Sequence, residues 1–160
     1  MTTTTRKPKF IVGKTSREHL NGCRGVLALL IERALARQDM PYDFKVTEGH
    51  RSNAEQDALY AIGRRGIPGE RTVTGAKAGQ SWHNVWPSQA VDIMVLVKGR
   101  EWEEELYDAV AAVIFLEWAK MQAEGLTKET LPDGQTIQWR LEWGGNWKKK
   151  DRPHWQVVKA

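Results

Sequence analysis

Two segments far apart in the chain constrain its fold most: Ser81-Trp82-His83-Asn84 running on to Ala90-Val91-Asp92, and Asp151-Arg152-Pro153-His154-Trp155. If His83, Asp92 and His154 meet, two imidazoles and one carboxylate hold a metal ion and leave a coordination position open for water. Asp151, three residues before His154, is then a spare carboxylate beside that water, the kind of group that activates water in metal-dependent hydrolysis. A fold that uses these residues must bring the middle of the chain against residues 151–155.

Each pair has an ordinary explanation when taken alone. A carboxylate within an apolar strand is costly unless paired or bound to a metal, but Asp92 at a strand end can point to solvent or form a salt bridge. Asp151 and His154 can be a turn entering an edge strand, with Pro153 fixing the backbone and biasing Arg152 to extended geometry. The combination carries more weight, because Asn84 and Pro87 supply turn chemistry to return His83 beside Asp92. His19 and His50 lack a carboxylate at a telling spacing and read as structural or solvated.

Hydrophobic periodicity places these motifs. Ser16 reads as a helix cap, and Leu20, Cys23, Leu27, Leu30, Ile31, Ala34 and Leu35 recur at helical spacing over 17–38, with Pro41 closing the helix. Residues 43–47 alternate as a strand. Ser52 and Glu55 have capping-box spacing for a helix over 53–64. Residues 63–79, with five glycines and a proline, read as a surface loop long enough to suspect a role in function. A central strand is expected over 89–97, a helix over 101–122 with Glu117 at the edge of its apolar stripe, and antiparallel strands over 136–143 and 154–158. The order implies an α+β fold, a small antiparallel sheet with helices packed on it, in one domain over 1–160 whose first 14 residues form a polar arm.

The 160 residues suffice for one real core, and 41% apolar with 28% charged content is the balance of a globular protein. No stretch approaches a membrane span, and residues 1–10 lack the apolar core of a secretory signal. One cysteine, Cys23, excludes an intrachain disulfide and a cysteine zinc cluster; among apolar helical positions it reads as core. The net charge of +4 suits a polyanionic neighbour: nucleic acid, anionic lipid or anionic cell wall. All eight tryptophans follow residue 80, in the half that holds both motifs.

In their order the motifs resemble the peptidoglycan-cleaving zinc peptidases related to D-alanyl-D-alanine carboxypeptidases, and most of all the small phage endolysins that act as L-alanyl-D-glutamate peptidases. The resemblance runs over about residues 15–158. It includes the tract from Phe44 to Ser52 with Gln56, and Glu142-Trp143-Gly144-Gly145 before the last motif. It implies a zinc site in a cleft on the sheet, as in hedgehog and D-Ala-D-Ala peptidase folds. It implies one zinc ion per chain on His83, Asp92 and His154, Asp151 as the base that activates water and later protonates the leaving amine, and Arg51 on the oxyanion or a substrate carboxylate. Gln56, Ser81 and Trp155 would contact substrate. One departure is a gap between His83 and Asp92 that is two residues longer than the usual pattern, with Trp86-Pro87-Ser88-Gln89 in place of a glycine-containing step.

The resemblance further implies a monomer that acts on peptidoglycan and inserts into no membrane. It would collect in the host cytoplasm without a signal peptide and reach the wall once a separate pore protein opens the membrane. Two other readings stay open on the residues. One is a D-alanyl-D-alanine carboxypeptidase, which needs a cleft closed at one end. The other is a non-enzymatic binder of wall polymer or nucleic acid, using Lys148, Lys149 and Lys150 with Trp143, Trp147 and Trp155, a basic-aromatic cluster of the kind that stacks bases.

Overall fold

The structure, a computed structural model, describes residues 6–160; the first five residues of the expected arm lie outside the described part. The rest of that arm is tied down, since Lys9 and Phe10 donate backbone hydrogen bonds to Ala36 and Leu35 and Phe10 and Val12 pack on the core.

The expected first helix is two: α1 (Lys14–Asn21) and α2 (Gly25–Ala36). The break has a tertiary cause. Arg24 N–H donates to the Ser88 carbonyl, Ser88 N–H donates to Gly22, and Cys23 bridges Ser88 in parallel. These backbone groups serve a distant segment, so the helix cannot run through them. Ser16 is not a cap. It is buried within α1, and its hydroxyl accepts the Val46 N–H at 2.9 Å, pinning α1 to strand β1 (Phe44–Glu48).

Helix α3 (Asn53–Ala61) opens with the expected capping box: Glu55 N–H donates to the Ser52 hydroxyl, and Ser52 N–H to the Glu55 carboxylate. Strand β2 (Ala90–Val95) and helix α4 (Glu104–Ala123) follow, then β3 (Lys128–Thr130), β4 (Thr136–Trp143) and β5 (His154–Lys159). The strands form one antiparallel sheet in the order β1-β2-β5-β4-β3, so the α+β expectation holds. Strand β3, three residues long, is too short to leave a periodic signal.

Helices α2 and α4 pack together on one sheet face, and their apolar residues share a core with Val46, Val91, Ile93, Trp139, Leu141, Trp155 and Val157. Trp155 alone, at 1% exposure, is worth about 3–5 kcal/mol against truncation. Glu117 does not lie at the edge of a stripe. It is buried, and Arg33 and Arg37 of α2 reach its carboxylate at 3.1 and 3.4 Å.

Candidate metal centre and cleft

Strand register builds the site. Asp92 pairs with His154 on β5 and with Glu48 on β1. Alternation puts Val91, Ile93, Trp155 and Val157 on the core face, so Asp92, His154 and Gln156 point the other way. The irregularity between Val46 and Glu48 shifts parity by one residue, so that Glu48 joins Asp92's face. The remaining histidine arrives on a short 3-10 turn, Trp82–Asn84. Three bonds lace that turn to the Arg51 segment: Arg51 N–H donates to the His83 carbonyl at 2.8 Å, and the Asn84 amide donates to Arg51 and Ser52 carbonyls.

His83 and His154 are 2% and 7% exposed. One ligand atom from each, with a carboxylate oxygen of Asp92, lies within 4.8 Å of the others. His83 Nδ1 faces the Gly49 carbonyl at 2.7 Å. A carbonyl only accepts, so Nδ1 carries the proton and Nε2 keeps its lone pair. That Nε2 lies 3.4 Å from Asp92 Oδ2 yet has no hydrogen-bond partner although it is buried. A lone pair facing a carboxylate oxygen in a buried site is repulsive unless a cation lies between them. The residues therefore fit a divalent ion.

His154 Nδ1 stands 3.2 Å from Asp92 Oδ1. Burial opposes charge on Asp92, but the facing imidazoles outweigh it and hold its carboxyl well below the usual range. Burial likewise opposes charge on His154, and Asp92 overcomes it and raises the imidazole pKa. The pocket thus draws positive charge, as a proton or as a metal ion that displaces it.

A cleft of about 250 Å³ surrounds the triad; Arg51, Gln80, Ser81, Trp82, Trp147 and Asp151 are among its walls. Although Asp151 is exposed as a residue, the walls keep water from part of its carboxyl. That desolvation, then the charge of Asp92, raises its pKa, against the pull of His154, His83 and Arg51. Arg51 donates to the Gln56 amide oxygen at 2.7 Å, reaches Glu48 at 3.4 Å and stands 3.9 Å from Asp92.

Of the residues expected to touch substrate, Ser81 lines the cleft, whereas Gln56 and Trp155 are buried and are not among its walls. Gln56 is fully buried, accepting from Arg51 and donating to the Ala76 carbonyl at 2.6 Å; it braces Arg51 against the 63–79 loop. The Ser81 hydroxyl accepts the His83 N–H, capping the turn while the residue lines the cleft. Trp155 stacks on Trp143 beneath the sheet and is 1% exposed. Sequence reasoning did not single out Glu48 or Gln156. The aromatic wall beside His154 is Trp147, 5.0 Å ring to ring. The longer gap after His83 turns outward: Trp86, 65% exposed, packs edge-on against His50, while the Ser88 hydroxyl bonds inward to Ala90 and Gly49.

Fold and site thus define an α+β protein with a metal-capable triad in an open cleft. No protein-family model matches the chain. The chain is 33% identical over 119 residues to the peptidoglycan L-alanyl-D-glutamate endopeptidase CwlK of Bacillus subtilis (strain 168); the match takes in 72% of this chain and 61% of that relative. Among the described residues, no helix is long and apolar enough to cross a membrane.

Proposed function

We propose that the chain is a metal-dependent peptidoglycan peptidase that hydrolyses the L-alanyl-D-glutamate bond of the stem peptide, with zinc as its ion. The observation that carries this reading is the convergence of His83, Asp92 and His154 within 4.8 Å in a cleft that also holds Asp151 and Arg51. The similarity to CwlK supports the bond and the substrate class. The net charge of +4 suits a carboxylate-rich polymer.

His83 Nε2, His154 Nδ1 and Asp92 would hold the ion. When bound, it supplies a Lewis acid and lowers the pKa of water toward about 7. Asp151 takes a proton from the attacking water as the new carbon–oxygen bond forms, and returns it to the leaving amine as the carbon–nitrogen bond breaks. Its raised pKa favours the second half of that task. Arg51, fixed by Gln56 and Glu48, sets a permanent positive charge beside the developing oxyanion.

Two neighbouring grooves favour internal cleavage over removal of a terminal residue. One shares Arg51 with the cleft and runs along Ala58, Leu59 and Ile62. The other shares Trp82 and runs along Val85, Arg140 and Val158. A substrate longer than the cleft would find further surface in these grooves.

In this reading the protein acts at the cell wall and lyses bacteria whose membrane has been permeabilised. The test is a digest of purified muropeptides analysed by mass, with and without chelator. Release of the stem from L-alanine, abolished by chelator and restored by zinc, is expected. Trimming of one terminal alanine would replace it with the carboxypeptidase reading. Cleavage that survives both chelator and Asp151→Ala would refute both.

A further inference from the structure

We infer that Gln156 and Glu142 form a positioning relay that holds His154 with its proton on Nε2 and its Nδ1 lone pair turned toward Asp92. The two residues are direct cross-strand partners on β5 and β4. His154 Nε2 lies 2.7 Å from the Gln156 amide oxygen, and the Gln156 amide nitrogen donates to Glu142 Oε1 at 3.0 Å. Gln156 is 6% exposed, so water does not compete strongly for either bond.

The direction of the chain follows from what each group can do. A carboxylate only accepts, so Glu142 requires the NH2 end of the amide to face it. The amide oxygen must then face His154, and an oxygen beside an imidazole nitrogen requires that nitrogen to carry the proton. In the neutral ring the Nδ1 lone pair is what remains, 3.2 Å from Asp92 Oδ1, where a metal ion can replace a proton. Reversing the amide would set NH2 against Nε2–H and leave the Glu142 carboxylate against an oxygen. Arg140 stands 3.7 Å from the other Glu142 oxygen.

The two histidines are thereby held in opposite tautomers by different devices, His83 by the backbone carbonyl of Gly49 and His154 by two side chains. Partners of this kind fix ring orientation and raise ligand basicity. The inference rests on metal binding at the triad and uses nothing about peptide cleavage.

The test uses zinc-loaded protein with isotope-labelled histidine. Proton–nitrogen correlation spectra of the wild type should show His154 protonated at Nε2 and metal-bound through Nδ1. Competition with a chromogenic chelator should show zinc affinity lowered about 10- to 100-fold in Gln156→Leu. Glu142→Gln, which frees the amide to rotate, should lose less and give a mixed His154 tautomer. The inference is overturned by a wild-type His154 protonated at Nδ1, by a wild type that binds no zinc, or by a folded Gln156→Leu whose affinity stays within about twofold against the expected loss. If Gln156→Leu does not fold, the wild-type spectrum decides. Failure of the wild type to cleave muropeptides would count against the proposed function alone, since none of these readouts depends on it.

Discussion

The backbones of Gly144 and Asp151 are in contact. The Gly144 carbonyl accepts the Asp151 N–H at 2.9 Å, and a β-carbon on Gly144 would overlap the Asp151 carbonyl oxygen. The sharp turn after β4 (Gly144–Asn146) thus sets where the proposed base stands. Gly144→Ala should leave a folded protein whose Asp151 is displaced. Misplacement of about 1 Å costs on the order of 100-fold, so kcat should fall by about 10- to 100-fold, with a smaller change in zinc affinity. Steady-state kinetics beside a chelator competition would check this; an unchanged kcat would mean that the contact does not position Asp151.

Arg51 donates two hydrogen bonds, to Gln56 and Glu48, and stands 3.9 Å from Asp92, and a lysine cannot reproduce a guanidinium fork. Arg51→Lys should lower kcat/KM on the order of 100-fold, the size of effect seen when one oxyanion donor is lost. Zinc affinity should stay within a few-fold, because Arg51 is not a ligand. A variant with near-normal kcat/KM would remove Arg51 from the mechanism.

Glu117, with its side chain 3% exposed, is held by Arg33 and Arg37, each 24% exposed and each also paired with a second carboxylate, Glu124 and Asp39. Glu117→Gln puts a neutral amide against both guanidiniums, which keep Glu124 and Asp39 on their outer sides. Full removal of one partner from a buried pair costs about 3–5 kcal/mol. Partial solvation of the arginines and the retained amide bring the expected loss to about 2 kcal/mol, or roughly 4–8 °C in Tm for a chain of this length. Thermal and denaturant unfolding measure it, and a change below about 0.5 kcal/mol, the range of ordinary surface substitutions, would contradict the assignment.

Burial pushes the Cys23 thiol up to about 11, against a smaller opposing hydrogen bond from Ser88. In the unfolded chain it ionises near its ordinary value of about 8.5. The folded pKa is the higher one, so its contribution to stability is complete below about 8.5 and is lost as pH rises through 11. The stability difference between wild type and Cys23→Ala should therefore shrink as pH rises over that window. Native protein at pH near 9 should also resist alkylation that unfolded protein undergoes readily. Rapid labelling of the native thiol would show that it is not held in the core.

The sequence reveals those features that recur with a period or sit in a local motif. The α3 capping box, the apolar stripes of α2 and α4 and the alternation of β1, β4 and β5 are all of that kind. The break at Gly22–Arg24 is invisible because it is made by Ser88, far along the chain, borrowing backbone groups that a helix would use. Burial of Glu117 is equally hidden, since the arginines that compensate it belong to another helix. For the site, residue types and order pointed to His83, Asp92, His154 and Asp151, and the structure brings the first three together. The sequence could not show which side of a strand each neighbour faces. One step in register separates His154, on the cleft, from Trp155, on the core, and the irregularity in β1 turns Glu48 toward Asp92.

Strand β5 follows every other strand in the chain yet lies between β2 and β4. Without β5, β2 and β4 have no common neighbour, and Asp92 has only the His83 imidazole beside it. A chain that stops short of His154 therefore cannot assemble the centre, because β5 supplies both the second imidazole and the strand that joins β2 to β4.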